Sequence, residues 1–161
     1  MLPVYVINLD RSIERLKHAS QQLQGVGIDF TRIVAVDGRK LSDNDINSVY
    51  DAQQNRERFY APLTRGEIAC YMSHRKAWQQ LLDSDAEAAV IVEDDIIVSS
   101  DFAQLSTAIA SLPGDWDLLK LAQPFKPKQS NKLADLGTFT LVDYRTCLLY
   151  TSPSPRDGLL S

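Results

Sequence analysis

Short apolar runs alternate with amphipathic stretches through the first two thirds of the chain. Leu2-Pro3-Val4-Tyr5-Val6-Ile7-Asn8 is uninterrupted and β-branched, which predicts a buried strand with proline tolerated only near its start. Behind it, Ile13, Leu16, Ala19 and Leu23 recur at helical spacing; Asp10 or Ser12 can cap that helix and Gly25 or Gly27 can stop it. Phe30 to Val36 reads as a second strand, closed by Asp37-Gly38. Strand, helix, strand is the unit from which parallel α/β sheets are built.

Ser42 to about Tyr50 predicts a short helix, and the polar stretch from Asp51 to Pro62, which lacks apolar periodicity, predicts a surface loop. Thr64-Arg65-Gly66-Glu67 matches a capping box that opens a helix running to Leu82, with Ile68, Tyr71, Arg75, Trp78 and Leu82 near one face. Ala88 to Val92 is the strongest buried strand in the chain, and Glu93-Asp94-Asp95 stands at its end. Asp101 is positioned to cap a helix to Leu112, Pro113-Gly114-Asp115 to turn the chain, and Trp116 to Leu121 to form another strand. The pattern fails from Thr146, where Pro153 and Pro155 exclude regular structure. Residues 146–161 are similar to the translation of a sequencing adapter. They are read as an unstructured tail of artefactual origin, against the alternative of an ordinary flexible terminus, and Cys147 receives no function.

Composition narrows the classes. The 161 residues are 44% hydrophobic and 24% charged, which excludes intrinsic disorder. With 17 Lys and Arg against 21 Asp and Glu, the net charge of −4 lacks the basic field of a nucleic-acid protein, so no nucleic-acid partner is expected. Two cysteines make no disulfide framework, and no apolar stretch approaches the roughly 20 residues that span a bilayer. A soluble, cytoplasmic protein is expected, with room for peripheral association at the inner face of the membrane.

Three segments carry candidate chemistry. Glu93, Asp94 and Asp95 would repel one another after a buried strand unless something compensates. In extended geometry Glu93 and Asp95 point to one side with Cα atoms about 7 Å apart, close enough to converge on a hard cation. The carboxyl ends of sheet strands are also where α/β proteins bind ligands. The plain alternative is a solvated acidic turn. Glu67, Cys70 and His74 share a helix face, for which a zinc site is conceivable; the alternative is a capping glutamate and a histidine hydrogen-bonded in the core. In Asn8-Leu9-Asp10-Arg11-Ser12-Ile13-Glu14-Arg15, a helix N-terminus with Arg11 and Arg15 four apart can hold an anion, or the arginines can simply be solvated.

Taken together these segments resemble glycosyltransferase family 25, the lipooligosaccharide-type galactosyltransferases. The matching residues are Val6 to Arg11 with Glu14-Arg15, Val36-Asp37-Gly38, Gly66 to Cys70 with Ser73-His74 and Trp78, and Val90 to Asp95, in the family's order and spacing. The family's C-terminal segment is missing, with Thr138 to Val142 as its possible beginning; residues 1–145 are then the N-terminal portion of one glycosyltransferase domain.

The resemblance implies a GT-A-type α/β fold, mostly parallel, and inverting transfer of a hexose, galactose foremost, from a UDP-sugar to a hydroxyl of lipooligosaccharide or another glycan. It implies a divalent metal, Mn2+ or Mg2+, held by Glu93 and Asp95, with Asp94 nearer the sugar or ribose. Asn8, Asp10, Arg11, Arg15 and Asp37 are implied to bind the donor, and Glu67 and His74 to support catalysis from the neighbouring helix. Two other readings compete: a non-catalytic nucleotide-sugar-binding remnant, and a metal-dependent phosphoryl-transfer enzyme. Asn8-Leu9-Asp10 after the first strand, in place of Asp-x-Asp, counts against the latter.

Overall fold

A computed structural model describes residues 2–59, 61–112, 116–121 and 130–144. Three parallel strands, β1 (Val4–Asn8), β2 (Thr31–Val34) and β3 (Val90–Glu93), form a sheet in the order β2-β1-β3. All five residues of β1 are buried because it is the central strand and both of its faces are covered. Val4 and Val6 point to one face with Val90 and Val92, against Ala19 and Leu23 of α1 (Ile13–Gly25) and Leu105 of α5 (Leu105–Ala110). Tyr5 and Ile7 point to the other, with Ile33 and Ile91, against Ala77 and Trp78 of α4 (Arg65–Leu82). The strand period of two therefore divides one apolar run between two helical layers.

The end of α1 follows from glycine chemistry. Gly27 takes a φ of +72°, while the Ile28 N–H donates to Leu23 O and the Gly27 N–H to Gln24 O, a Schellman closure. The start of α1 departs from expectation: Ser12 is the N-cap residue, but no side chain caps the helix, because Asp10 pairs instead with Arg32.

The segment expected to loop from Asp51 contains α3 (Ala52–Arg58), with the Asp51 carboxylate accepting from the N–H groups of Gln53 and Gln54. It shows no apolar stripe because Asn55 is its one buried residue, and the Asn55 amide donates to Ala61 O. The expected helix after Ser42 is α2 (Asp43–Asn47), shorter than predicted and closed by a Ser42/Asp45 capping box. Asp101 caps nothing: a 3-10 turn over Ser100–Gln104 precedes α5. Residues 116–121 are not a strand, and Trp116, Leu118 and Leu121 remain substantially exposed.

An antiparallel hairpin, β4 (Ser130–Leu136) and β5 (Phe139–Tyr144), turns through Gly137 at a φ of +76° and packs Phe139 against the core. The expected turn at 113–115 and the tail from 146 lie outside the described residues. Among the described residues no helix is long and apolar enough to cross a membrane.

Candidate functional site

The carboxyl ends of β1, β2 and β3 converge, and the candidate residues lie there. Asn8, the last residue of β1, is 1% exposed. Its amide Nδ2 donates to Asp94 Oδ2 at 2.6 Å and to Ser12 O at 3.0 Å, and its Oδ1 accepts from Arg32 Nε at 3.0 Å. Every polar atom of that buried side chain is therefore used, and Asn8 holds Asp94 from beneath without reaching solvent.

Asp94 is itself buried, and Arg15, reaching over from α1, forms an ion pair with it and a second one with Asp95 at 3.1 Å. Burial pushes the Asp94 carboxyl above the usual range despite the lowering influence of Asn8 and Arg15; the neighbouring charges of Asp95 and Glu93 push the same way.

The acidic trio is not arranged as extended geometry predicts. The strand ends at Glu93 and the chain turns at Asp94-Asp95, so alternation stops one residue too early for Glu93 and Asp95 to pair. Asp94 and Asp95 share Arg15, whereas Glu93 turns to α4, with Oε1 3.5 Å from His74 Nε2 and 3.8 Å from Cys70 Sγ. Next to that carboxylate and inside the protein, the Cys70 thiol is pushed up to about 12, chiefly by burial. His74 is completely buried, and its Nδ1 has no hydrogen-bond partner among the described residues, a deficit worth roughly 1–3 kcal/mol.

Glu67 is engaged at the start of α4, where its Oε2 accepts from the Thr64 N–H at 2.7 Å and Thr64 Oγ1 accepts from the Glu67 N–H at 3.2 Å. Cys70 and His74 thus reach Glu93 from the shared helix face, and Glu67 caps the helix.

The third strand end brings in Asp37. Its carboxylate accepts from the Arg39 side chain and backbone and pairs with Arg11, which together hold it well below the usual carboxylate range. Asp37 is fixed by the neighbouring backbone. A Cβ on Gly38 would come within 2.7 Å of Arg65 O and 3.2 Å of the Gly66 Cα, so only glycine permits this approach to α4. Ser73 tightens the same junction, accepting from the Val36 N–H at 2.8 Å and donating to Ala69 O at 2.7 Å.

Arg32 was not among the sequence candidates, yet it holds both Asn8 and, at 2.7 Å, Asp10. A charged residue inside an apolar strand run was the available signal.

A parallel α/β sheet with a buried, arginine-paired carboxylate at its carboxyl edge has the architecture in which α/β domains bind ligands beyond the strand ends. The family described as "Glycosyltransferase family 25 (LPS biosynthesis protein)" matches residues 1–145, and the chain belongs to it. The parallel sheet flanked by helices agrees with a GT-A-like glycosyltransferase fold.

Among similar proteins, a "Glycosyltransferase 25 family member" of Anopheles gambiae is 30% identical over 141 residues, covering 82% of this chain and 23% of that protein. Another of that name from Aedes aegypti is 29% identical over 150 residues, covering 86% and 24%. Human "Procollagen galactosyltransferase 2" is 27% identical over 132 residues, covering 74% and 20%. The chain therefore spans a fifth to a quarter of the length of these relatives.

Proposed function

We propose that the chain is the donor-binding portion of a UDP-sugar-dependent glycosyltransferase that moves galactose to an acceptor hydroxyl with inversion. The observation that carries this is the Asn8–Asp94–Arg15–Asp95 cluster at the ends of parallel strands, in a chain of glycosyltransferase family 25. Galactose is favoured because several relatives are named galactosyltransferases. The family's description favours a lipopolysaccharide-type glycan as acceptor. Residues 1–145 are taken as one domain, or the first portion of one.

In such a reaction the acceptor oxygen attacks the anomeric carbon, the bond to the diphosphate breaks, and UDP leaves with the electron pair while the acceptor's proton passes to a general base. Negative charge grows on the leaving diphosphate, and the site must meet it. Asp94 and Asp95 already share one cationic group, so their hard oxygen donors suit a divalent ion of the Mn2+ or Mg2+ kind. Such an ion would act there as a Lewis acid towards the diphosphate. Arg15, exposed at the rim, is the residue that exchanges partners as donor enters: it can leave the carboxylates and fork onto phosphate oxygens. Arg11, paired with Asp37, would line the nucleotide pocket with it. Asn8 keeps Asp94 in place throughout.

Equilibrium binding of UDP-galactose to the chain tests the donor class. The expected result is saturable binding displaced by UDP, by UDP-glucose less well, and not by inorganic phosphate. A protein extended to the length of its relatives is expected to transfer galactose to lipooligosaccharide. Failure with every UDP-sugar, together with turnover of a phosphate ester, would hand the site to phosphoryl transfer instead.

A further inference from the structure

Glu93 turns away from the donor-side carboxylates, and what it meets is a second set of ligand-type atoms. Cys70 and His74, four residues apart on α4, point along one helix face towards the last residue of β3. One ligand atom from each of Cys70, His74 and Glu93 lies within 4.8 Å of the others, with Sγ to Oε1 at 3.8 Å and Nε2 to Oε1 at 3.5 Å. Zinc bound at about 2.3 Å to sulfur and 2.0–2.2 Å to nitrogen or oxygen separates tetrahedral ligands by roughly 3.3–3.7 Å. The three atoms need close by only fractions of an ångström to about one ångström to fit.

We propose that Cys70, His74 and Glu93 bind a single zinc-class ion, separate from the cation site assigned to Asp94 and Asp95. The chemistry of the ligand set supports the choice of ion. Thiolate and imidazole select zinc and similar borderline-soft metals, whereas Mg2+ and Mn2+ favour the all-oxygen set on the other side of the strand end. Entry of the ion displaces the thiol proton to solvent, leaving thiolate, neutral imidazole and carboxylate as ligands.

The surroundings are rigid enough to hold such geometry. His74 is fully buried with its ring against Trp78, at a centroid distance of 6.3 Å, and Ser73 beside it ties α4 to the end of β2. Glu93 is 26% exposed, so an ion can reach the cluster from solvent on the Glu93 side. The buried His74 has one nitrogen facing Glu93 and the other without a partner among the described residues. An apolar side chain would fill that space without the loss, so the residue's use lies in the nitrogen that faces the cluster. The ion would pin α4 to the last residue of β3.

Cobalt(II), a spectroscopic stand-in for zinc, tests this on the whole chain without any nucleotide, so the outcome is independent of the donor proposal. Titration is expected to give one equivalent of tetrahedral cobalt with a thiolate-to-metal charge-transfer band in the near ultraviolet, bleached by zinc. Cys70→Ser should abolish the band, Cys147→Ser should leave it intact, and His74→Gln should weaken cobalt binding by more than the roughly 10–100-fold that a merely supporting residue costs. If Cys70→Ser fails to fold, the wild-type spectrum together with Cys147→Ser still decides. Absence of a charge-transfer band on the wild-type chain, or a band lost with Cys147→Ser, would overturn the site and leave a plain hydrogen-bonded triad.

Discussion

Asp94 is a carboxylate kept where its charge is expensive. Its folded pKa is raised, so around acidic pH the folded state binds more protons at this residue than the unfolded state does. The stability it contributes is therefore greatest at low pH and falls away as pH rises through the folded value. Asp94→Asn removes that cost and keeps an oxygen to accept from Asn8. The variant is expected to melt no lower than the wild type at pH 7, with any advantage vanishing below about pH 4, near the ordinary Asp value. Thermal melts across that range would show it, and a loss of several degrees at pH 7 would contradict it.

Asp37 behaves oppositely. Its lowered pKa, set first by Arg39, contributes stability that is present at neutral pH and lost as the pH falls through the acid range. The sequence located both residues by their position at strand ends. It could not show that Asn8 holds Asp94, because the contact joins residues 86 apart. Arg32 escaped for the same reason: its partners Asn8 and Asp10 lie on the neighbouring strand and just past its end, 24 and 22 residues away in sequence.

Elements were legible where burial writes a period into the chain. β1, β3, α1 and α4 stand close to where the pattern puts them, but the buried faces differ: Ile13 of α1 is exposed, and α4 buries Ile68, Ala69, Ser73, His74 and Ala77 while Tyr71, Arg75 and Leu82 face out. α3 was illegible because its only signal was Asp51 as a cap; a helix exposed nearly all round carries no stripe. Trp116 to Leu121 misled in the other direction, since apolar composition does not enforce a strand. The junction between the Asp37-Gly38 corner and α4 is an element-scale feature that motif spacing could not reveal. Gly38→Ala must push Arg65 and Gly66 away, at a cost on the order of 1–3 kcal/mol. Denaturant unfolding should detect this as a lower midpoint at unchanged slope. An unchanged midpoint would mean that the corner and α4 can separate freely.

At the scale of the molecule, the described sheet is open at β3, which pairs only with β1 among the described residues. A groove of about 740 Å³ runs beside that strand, lined by Trp78, Leu81, Ile91, Ile109 and Trp116 among others. The family match ends at residue 145, and the sequence beyond it has no periodicity. Removing residues 146–161 is therefore expected to leave the melting temperature unchanged, as differential scanning calorimetry would register; a large drop would make the tail structural.

The binding of UDP in the presence and absence of a divalent ion decides whether the strand-end cluster is a nucleotide-sugar site. Calorimetric titration of the chain with UDP is expected to give at least about tenfold tighter binding with manganese than with EDTA, a difference of about 1.4 kcal/mol. Asp95→Asn should lose most of that gain. Equal affinity in manganese and EDTA, or a full manganese effect surviving Asp95→Asn, would contradict the assignment.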